Sequence, residues 1–354
     1  MKRWKVTFGL FLLLFALATT VACAETKEAK MDWNDRTVIF AQPGETIHFT
    51  YDVPEDFVVT KEEWLWYFAY TDGHGSFGSG SNDDEYGATH FESYTYEPTG
   101  IHVEWDGKGS ISLSANEMVR IQLRLNGYEY LYAYVLVADP AEYYTYEIQN
   151  GEATITGYNK DLLRRKVLIP QEIEGYPVTT IGDRAFSDMP SGIGKEFYIP
   201  DNVTTFGKEA FAGSAYLDAV RMPQKLTKMG EGVFAACLQM HFLEIPDSLT
   251  EIPDEAFVNC WGYGAGRGDY SVEQCIGKNV TKIGKSAFAG CWNMGRAWGD
   301  ARLPEKLESI GEGAFQYCYK IKSLEIPAGV TVIPDRTFQG CERLESFRLM
   351  AILR

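Results

Sequence analysis

Apolar and polar positions recur in one phrase along the C-terminal half of the chain. The phrase reads Ile-Gly-x-x-Ala-Phe-x-x-Cys and is followed, after a gap, by an apolar-x-apolar-Pro step. Its phenylalanines are Phe186, Phe211, Phe234, Phe257, Phe288, Phe315 and Phe338. They are 25, 23, 23, 31, 27 and 23 residues apart. A short and nearly fixed period predicts a solenoid, in which each unit buries its apolar face only by stacking on its neighbours.

One repeat indicates which side chains face the interior of this solenoid. The predicted inward set is Cys318, Ile321, Leu324, Ile326, Val330 and Ile333. Glu325 lies between two inward residues of a short strand and therefore points outward, because side chains alternate along a strand. Pro327 ends that strand, and Gly311 and Gly313 permit a tight return. Each repeat is thus expected to add one strand to a parallel sheet, with short helical turns between the strands.

Alignment of the repeats predicts one outward row along the parallel sheet. The row consists of Leu168, Tyr198, Arg221, Glu244, Cys275, Arg302, Glu325 and Arg348. Its alternating charges have two interpretations: a surface that binds a ligand, or a ladder of ion pairs between neighbouring strands, which is the favoured one. Cys275 is predicted to be an exposed thiol on this face.

The N-terminal half has a different pattern, with a period of two. Short apolar stretches predict seven strands: Thr37–Phe40, Thr46–Tyr51, Trp64–Tyr70, Ile101–Trp105, Ser110–Leu113, Val119–Leu125 and Tyr130–Val137. Asn126-Gly127 between the last two predicts a hairpin with a two-residue turn. About seven short strands in about a hundred residues are typical of an immunoglobulin-like β-sandwich, here over residues 25–140. The polar residues 25–32 are expected to be disordered.

The boundary between the two halves is predicted at Ala138–Ala141. Tyr143–Thr156 then has the pattern of a hairpin with Asn150-Gly151 at its turn. A stack of repeats needs a cap over its first edge. The hairpin at 143–157 is therefore expected to cap a domain over residues 141–354, whose repeats start at about residue 165. The whole chain is predicted to be mainly β.

From about residue 143 to the end, roughly 60% of the chain, the sequence resembles the BspA-type leucine-rich repeat family. The resemblance is carried by the entry segment Ile169–Phe186, by the copy Ile283–Cys291 and by the step Leu324–Pro327. It implies a bacterial secreted or surface protein that adheres to host proteins, other cells or surfaces. It also implies that the repeats themselves have no enzymatic activity.

The cysteines of the repeats are predicted to be buried thiols rather than disulfides. Five of them share the position three residues after the repeat phenylalanine: Cys237, Cys260, Cys291, Cys318 and Cys341. The first two repeats have Met189 and Ser214 there. A position that accepts Cys, Ser or Met is typical of a small core site, where a free cysteine acts as a compact apolar group.

The N-terminus has the pattern of an export signal at residues 1–24. Lys2, Arg3 and Lys5 precede the apolar run Phe8–Ala18, and small residues follow around Cys23. Cleavage with secretion is favoured over a lipid anchor at Cys23, and no second apolar segment predicts a membrane span. The formal charge is −16, which argues against nucleic acid as a partner because binding to phosphates needs a basic patch.

The two longest repeats predict the best binding site. Their extra residues follow Cys260 and Cys291, so adjacent repeats place them side by side on one edge. Their aromatic residues are Trp261, Tyr263, Tyr270, Trp292 and Trp298. Aromatic rings suit sugars, apolar protein surfaces and cations. Alternatively, the tryptophans fold back over the longer coils. Arg267-Gly268-Asp269 in the first insert has the pattern of an adhesion tripeptide.

Sequence patterns of catalysis, cofactor binding and metal binding are weak or missing. The acidic, glycine-rich stretch Asp72–Glu85 has carboxylates for calcium but not the spacing of an EF-hand. No catalytic or phosphate-binding motif is present, so neither an enzyme nor a cofactor is predicted. The leading hypothesis is a non-catalytic protein that binds a host or neighbouring-cell protein or glycan. The alternatives are a spacer whose N-terminal domain does the recognition, and a glycan-acting enzyme with its site in residues 25–140.

Overall fold

The computed structural model describes most of the repeats and the main strands of the N-terminal half. The described residues are 26–31, 37–41, 46–51, 57, 62–69, 101–105, 109–113, 118–126, 129–163, 165–241, 243–263, 275–294 and 301–350. Within these ranges the fold is mainly β. Helix is confined there to α1 (Pro140–Tyr143) and a short helical segment at Cys275 and Ile276.

Eight strands are described in the N-terminal half. They are β1 (Thr26–Met31), β2 (Thr37–Ala41), β3 (Thr46–Tyr51), β4 (Glu62–Ala69), β5 (Ile101–Trp105), β6 (Gly109–Leu113), β7 (Met118–Leu125) and β8 (Glu129–Val137). They make two four-stranded sheets, in the orders β1-β3-β5-β6 and β2-β8-β7-β4. All seven strands expected from the alternating pattern are confirmed.

Two details of this half differ from the sequence-based prediction. The segment expected to be disordered contains strand β1, which pairs in parallel with β3 and ends at the buried Met31. Backbone pairing along the whole length of β1 and the burial of Met31 account for a strand that its polar residues did not predict. In the β7–β8 hairpin Leu125 pairs with Glu129, so three residues separate the strands where two were predicted.

The hairpin before the repeats forms as predicted. It consists of β9 (Tyr144–Gln149) and β10 (Glu152–Tyr158), which pair antiparallel. Asn150 and Gly151 have φ of 55° and 81°, as expected for a turn that matches the twist of the strands. β10 pairs in parallel with the first strand of the solenoid's second sheet, and the Tyr158 ring stacks on Phe186 at 5.6 Å. The hairpin therefore covers the first coil.

The solenoid is built from short strands in consecutive coils. They are β11 (Lys166–Leu168), β12 (Glu172–Ile173), β13 (Tyr176–Ile181), β14 (Glu196–Tyr198), β15 (Thr205–Phe206), β16 (Ala219–Arg221), β17 (Lys228–Met229), β18 (Glu251–Ile252), β19 (Lys282–Ile283), β20 (Ala301–Arg302), β21 (Ser309–Ile310), β22 (Ser323–Ile326) and β23 (Ser346–Leu349). Six of the eight residues in the predicted outward row lie on two sheets, β11-β14-β16 and β20-β22-β23, and all their pairs are parallel. The other two, Glu244 and Cys275, lie outside these strands and separate the two sheets.

A column of phenylalanine rings fills the interior of the solenoid. Neighbouring rings from Phe186 to Phe338 stack with centroids 5.1–5.7 Å apart and planes within 16° of parallel. The small alanine that precedes most of these rings is buried too, for example Ala287 and Ala314. One large and one small side chain per coil thus form a continuous core, as the repeat pattern predicts.

The return legs, predicted as short helical turns, are runs of hydrogen-bonded turns that differ from regular helices in being interrupted within each coil. Two residues in each coil have left-handed backbone, two positions before and two positions after the phenylalanine. Around Phe257 they are Glu255 (φ 56°) and Asn259 (φ 61°), and around Phe315 they are Gly313 (φ 63°) and Tyr317 (φ 59°). Left-handed residues at this spacing interrupt any right-handed helix, which explains the difference.

The repeat cysteines are free and buried, as predicted, and they also donate hydrogen bonds. Each Sγ points to the carbonyl oxygen of the phenylalanine one coil earlier, for example Cys260 to Phe234 at 3.0 Å. The other donors are Cys237, Cys291, Cys318 and Cys341. Ser214 makes the same bond to Phe186 at 2.7 Å. Burial raises the pKa of Cys260 to about 12, so this thiol stays protonated at neutral pH.

The N-terminal half packs directly on the start of the solenoid. Val38, Phe40, Tyr134 and Leu136 point from one face of the β2–β8 pair and share one core with the first coils. The Tyr134 ring lies 4.5 Å from Tyr198, and the two hydroxyl groups are 3.1 Å apart. The β2–β8 pair is therefore buried on this side by the repeats.

The last described coil differs from the others in burial. Ile333, predicted to face inward, is 38% exposed, whereas the equivalent Ile252 is buried. In the ranges described, no later coil covers Ile333. The same geometry leaves Phe347 and Leu349 of β23 exposed.

Candidate functional site

Trp261 and Trp292 stack on each other at the surface of the solenoid. Each directly follows its repeat cysteine, so consecutive coils bring the two indoles together. Their centroids are 4.7 Å apart and their planes differ by 7°, yet each side chain is 41% exposed. The first residues of the two inserts therefore lie side by side on one edge.

Two tyrosines extend the tryptophan pair into the following coil. Tyr319 directly follows Cys318, and its ring lies 5.7 Å from Trp292. Tyr317 lies 6.3 Å from Tyr319 and is 43% exposed. We call Trp261, Trp292, Tyr319 and Tyr317 the aromatic row. The two tyrosines were not among the predicted site residues, although the position after the repeat cysteine, shared by Trp261, Trp292 and Tyr319, is a signal that could have found Tyr319.

Backbone contacts between coils hold the aromatic row in place. The Asn293 side chain donates to the carbonyl of Trp261 at 2.7 Å, and the Gly262 amide donates to Leu238 at 3.1 Å. Tyr317 has left-handed backbone, and its ring lies against Gly340 of the next coil, where a β-carbon would collide with it. A bulky residue rarely takes this backbone conformation, so neighbouring contacts must hold Tyr317 there.

Tyr263, predicted as a member of the aromatic insert surface, is buried. Its ring stacks on Phe257 at 4.8 Å and its hydroxyl donates to the carbonyl of Cys275 at 2.7 Å. Tyr263 therefore fills the interior of its longer coil and is not available at the surface. Tyr263 thus behaves as the alternative interpretation expected of the tryptophans, because it packs inside the longer coil.

Cys275 is likewise buried, so the prediction of an exposed thiol is wrong. The register of the outward row assumed an extended strand here, but Cys275 and Ile276 are helical. The longer coil before them changes the direction of the side chain. Burial raises the pKa of Cys275 to about 12, so it is not a reactive thiolate at neutral pH.

At its C-terminal end the outward row is a ladder of ion pairs, the interpretation favoured from sequence. Arg302 Nε lies 2.7 Å from Glu325, and Arg348 lies 3.4 Å from the other oxygen of the same carboxylate. Glu325 is largely covered between them. Glu325 thus pairs with both arginines, and its carboxylate is less available to a ligand.

The start of the outward row is covered by the N-terminal half. Leu168 and Tyr198 are both buried, Tyr198 against Tyr134, so Tyr198 is not a surface residue. Arg221 lies over the Tyr198 ring at 5.8 Å. Arg221 and Glu244 line a shallow groove of about 270 Å³ beside this junction, together with Glu196. This groove is a second surface feature of the described solenoid.

The side chains of Asp218, His241 and Lys195 are paired with one another. Asp218 accepts from His241 at 2.5 Å and pairs with Lys195 at 3.3 Å. Burial raises the pKa of Asp218, but its hydrogen bonds to His241 and Lys195 outweigh this effect and lower the pKa. Among the described residues no group of acidic, histidine or cysteine side chains is arranged to hold a metal ion.

Several predicted features lie outside the described residues. They are Arg267, Asp269, Tyr270 and Trp298 of the inserts, the stretch Asp72–Glu85, and the export signal with Cys23. No helix within the described part of the chain combines the length and apolar character that a membrane crossing requires.

Comparison with protein families identifies the class. The family described as BspA type leucine-rich repeat region matches residues 168–263 and 271–353 in six copies, just over half of the chain. The chain therefore belongs to the BspA-type leucine-rich repeat family, as its repeats predicted. None of the curated proteins matches it.

Solved structures with similar repeats come from several bacteria. A leucine-rich repeat protein of T. pallidum (TpLRR) is 24% identical, covering 60% of this chain and 82% of its own, with a TM-score of 0.41. A leucine-rich repeat protein of Bacteroides ovatus is 26% identical, over 58% of this chain and 51% of its own, with a TM-score of 0.47. One from Bacteroides capillosus is 30% identical, over 36% and 92%, with a TM-score of 0.30.

Proposed function

We propose that this protein is a non-catalytic binding protein that uses its repeats as a rigid scaffold and the aromatic row as its contact surface. The partner is a protein or a glycan of a host or a neighbouring cell. The observation that carries the proposal is the stacked pair Trp261 and Trp292, both 41% exposed. Tryptophan and tyrosine dominate the energetically important positions of binding surfaces.

Competing surfaces support this choice by their own contacts. The outward row begins under the N-terminal half and ends in the ion pairs of Glu325. Among the described residues the aromatic row has neither kind of partner. Its rings contact one another and leave their outer edges in solvent. Exposed apolar area of this kind is not needed to hold the edge of a coil together, and it is typical of interaction surfaces.

The test is binding of the full chain to arrays of glycans and of host and bacterial proteins. A hit is then measured again with the double variant Trp261→Ala and Trp292→Ala. The matched control is Tyr176→Ala, which removes an equally exposed aromatic ring that is distant in sequence from the aromatic row. We expect the double variant to lose about thirty-fold or more in affinity, the effect of removing a central aromatic contact, and the control to bind normally. Unchanged binding by the double variant would refute the proposal.

The two alternative functions make different predictions in the same assay. If the repeats are only a spacer, binding persists in the double variant and is lost on changes in residues 25–140. If the protein is a glycan-acting enzyme, a glycan on the array is turned over. We give both a lower rank, because the described residues offer an exposed aromatic surface on the repeats.

We extend the proposal to the first domain and to location. The two four-stranded sheets of residues 25–140 and the contact of β1 with β2 and β8 support an immunoglobulin-like sandwich. The parallel pairs β1–β3, β3–β5 and β2–β8 depart from the antiparallel pattern of that fold. The basic start and the apolar run Phe8–Ala18 support export to the cell surface or medium, with a lipid anchor at Cys23 as the variant route.

A further inference from the structure

We infer that the aromatic row receives a polypeptide segment that carries apolar and acidic side chains, rather than sugar rings. The inference rests on the proposed function and deepens it by naming the class of partner. Two independent observations carry it: the orientation of the rings in the row, and two like charges at its C-terminal end.

At the centre of the aromatic row, neighbouring rings lie on both sides of Trp292. A sugar binds an aromatic side chain by laying its ring against an open π-face. One face of Trp292 is covered by Trp261 at 4.7 Å and 7°, and Tyr319 of the next coil lies 5.7 Å away on the other side. The exposed area of Trp292 therefore belongs mainly to its ring edges, and Trp261 has one face covered.

Ring edges suit a polypeptide better than a saccharide. Edges carry the positive part of the aromatic quadrupole, and they pack well against aliphatic side chains and against the faces of other rings. An indole edge also has an N–H donor, for which a backbone carbonyl or a carboxylate is a suitable acceptor. For Trp261 and Trp292 the described structure contains no hydrogen bond from this N–H. The row thus offers donors and apolar edges together.

Lys320 and Arg343 supply the second observation. They are the second residues after Cys318 and Cys341, so they occupy equivalent positions of consecutive coils, in a register fixed by the bond from the Glu345 amide to Lys322. Neighbouring coils lie about 4.8 Å apart, so the positive charge of Lys320 lies next to the positive charge of Arg343. Within the described ranges neither side chain has an ion-pair partner, whereas Lys208, Lys282 and Lys322 each face a carboxylate across coils.

Two adjacent unpaired cations beside exposed aromatic edges favour an acidic partner. The chain as a whole is strongly acidic, with a formal charge of −16, and would repel such a partner elsewhere. The cations therefore fix where along the solenoid an acidic segment can approach. They would also make the association sensitive to salt, because exposed charges are screened.

The experiment selects ligands from a random peptide library displayed on phage, using the full chain. Selected peptides, sodium alginate as an acidic polysaccharide and laminarin as a neutral one are then titrated against three variants. Trp292→Ala is the decisive one, because it removes ring edges for a peptide but opens a face of Trp261 for a sugar. The pair Lys320→Gln and Arg343→Gln tests the charge, and Tyr176→Ala is the control. Thermal unfolding establishes that each variant is folded.

We expect the selected peptides to be rich in acidic and apolar residues. Trp292→Ala should weaken them about thirty-fold, as for a central aromatic contact, and the charge variant should weaken them and flatten their dependence on salt. Alginate or laminarin binding that survives or strengthens in Trp292→Ala would overturn the inference and leave the proposed function standing. Peptide and polysaccharide binding that is unchanged in Trp292→Ala would overturn both the inference and the proposed function.

Discussion

At the residue scale, the position three residues after the phenylalanine shows how a small side chain can serve two purposes. Cys260 fills the core and also donates to the carbonyl of Phe234. Its equivalents do the same, including Ser214, whose hydroxyl donates to Phe186. The sequence pattern of Cys, Ser and Met predicted the size of this site and the absence of disulfides. The hydrogen bond was not predictable, because it depends on where the previous coil places its carbonyl.

The buried thiols predict a loss of stability at alkaline pH. Burial raises the pKa of Cys260 from 9.0 to about 12. Below pH 9 the thiol is protonated in both states, so its contribution to stability is complete. Between pH 9 and 12 the unfolded chain releases a proton that the folded chain keeps, and the free energy of unfolding falls by about 1.4 kcal/mol per pH unit for this thiol.

The measurement is urea unfolding at a series of pH values for the native chain and for Cys260→Ser. Serine does not titrate in this range and can donate the same hydrogen bond as Ser214. We expect the variant to stay folded and to lose stability less steeply above pH 9. Identical slopes for the two proteins would contradict this account of the thiol.

At the residue scale the sequence also misplaced two side chains in a physically instructive way. Tyr263 and Cys275 bracket the first insert, and both were expected at the surface. A longer coil encloses more volume, and a tyrosine stacked on Phe257 fills it. Periodicity predicts direction only where the period is kept, so the side chains next to an insertion were the ones predicted wrongly.

At the element scale, two glycines of one return leg have different physical roles. Gly313 has a φ of 63°, and a β-carbon there would meet only ordinary contacts at 3.5 Å or more. Gly311 has no such backbone requirement, but a β-carbon there would collide with the backbone of Gly284 in the preceding coil. Gly313 therefore permits a turn, and Gly311 permits two coils to approach each other.

This difference predicts unequal costs for two similar substitutions. Gly313→Ala should cost about 1–2 kcal/mol, the strain of an alanine in left-handed backbone. Gly311→Ala should cost more, because coil-to-coil spacing must increase and the contacts of the Phe288 and Phe315 rings weaken with it. Urea unfolding of both variants measures the two values. Equal costs, or a larger cost for Gly313→Ala, would refute the assignment of Gly311 to close packing.

At the scale of the whole molecule, the two halves share a core rather than a flexible joint. Phe40 contacts Tyr143 and Tyr144 edge to face, and Tyr134 contacts Tyr198 by both ring and hydroxyl. The strands, the repeat period, the hairpin and the inward phenylalanines were predictable from local patterns. This contact was not, because it joins residues 64 positions apart that belong to two different periodicities.

The shared core predicts that the halves unfold together. Tyr134→Ala should remove about 3–5 kcal/mol, as for other buried aromatic side chains, and should separate unfolding into two transitions. Hydrogen exchange detects this as protection lost in residues 37–41 and 129–137 before the coils around Phe257. Tyr176→Ala is the control, since it removes an exposed ring. A single transition of unchanged midpoint in Tyr134→Ala would show that the contact contributes little.

The face-to-face pair of Trp261 and Trp292 has an optical consequence. Two identical indoles held 4.7 Å apart and nearly parallel couple their electronic transitions, so they absorb as one chromophore with split levels. The splitting gives a paired positive and negative band in circular dichroism and vanishes when either ring moves or is replaced. The tryptophan pair is therefore an intrinsic spectroscopic probe. Binding of a partner at this edge would change the paired circular dichroism band without any added label.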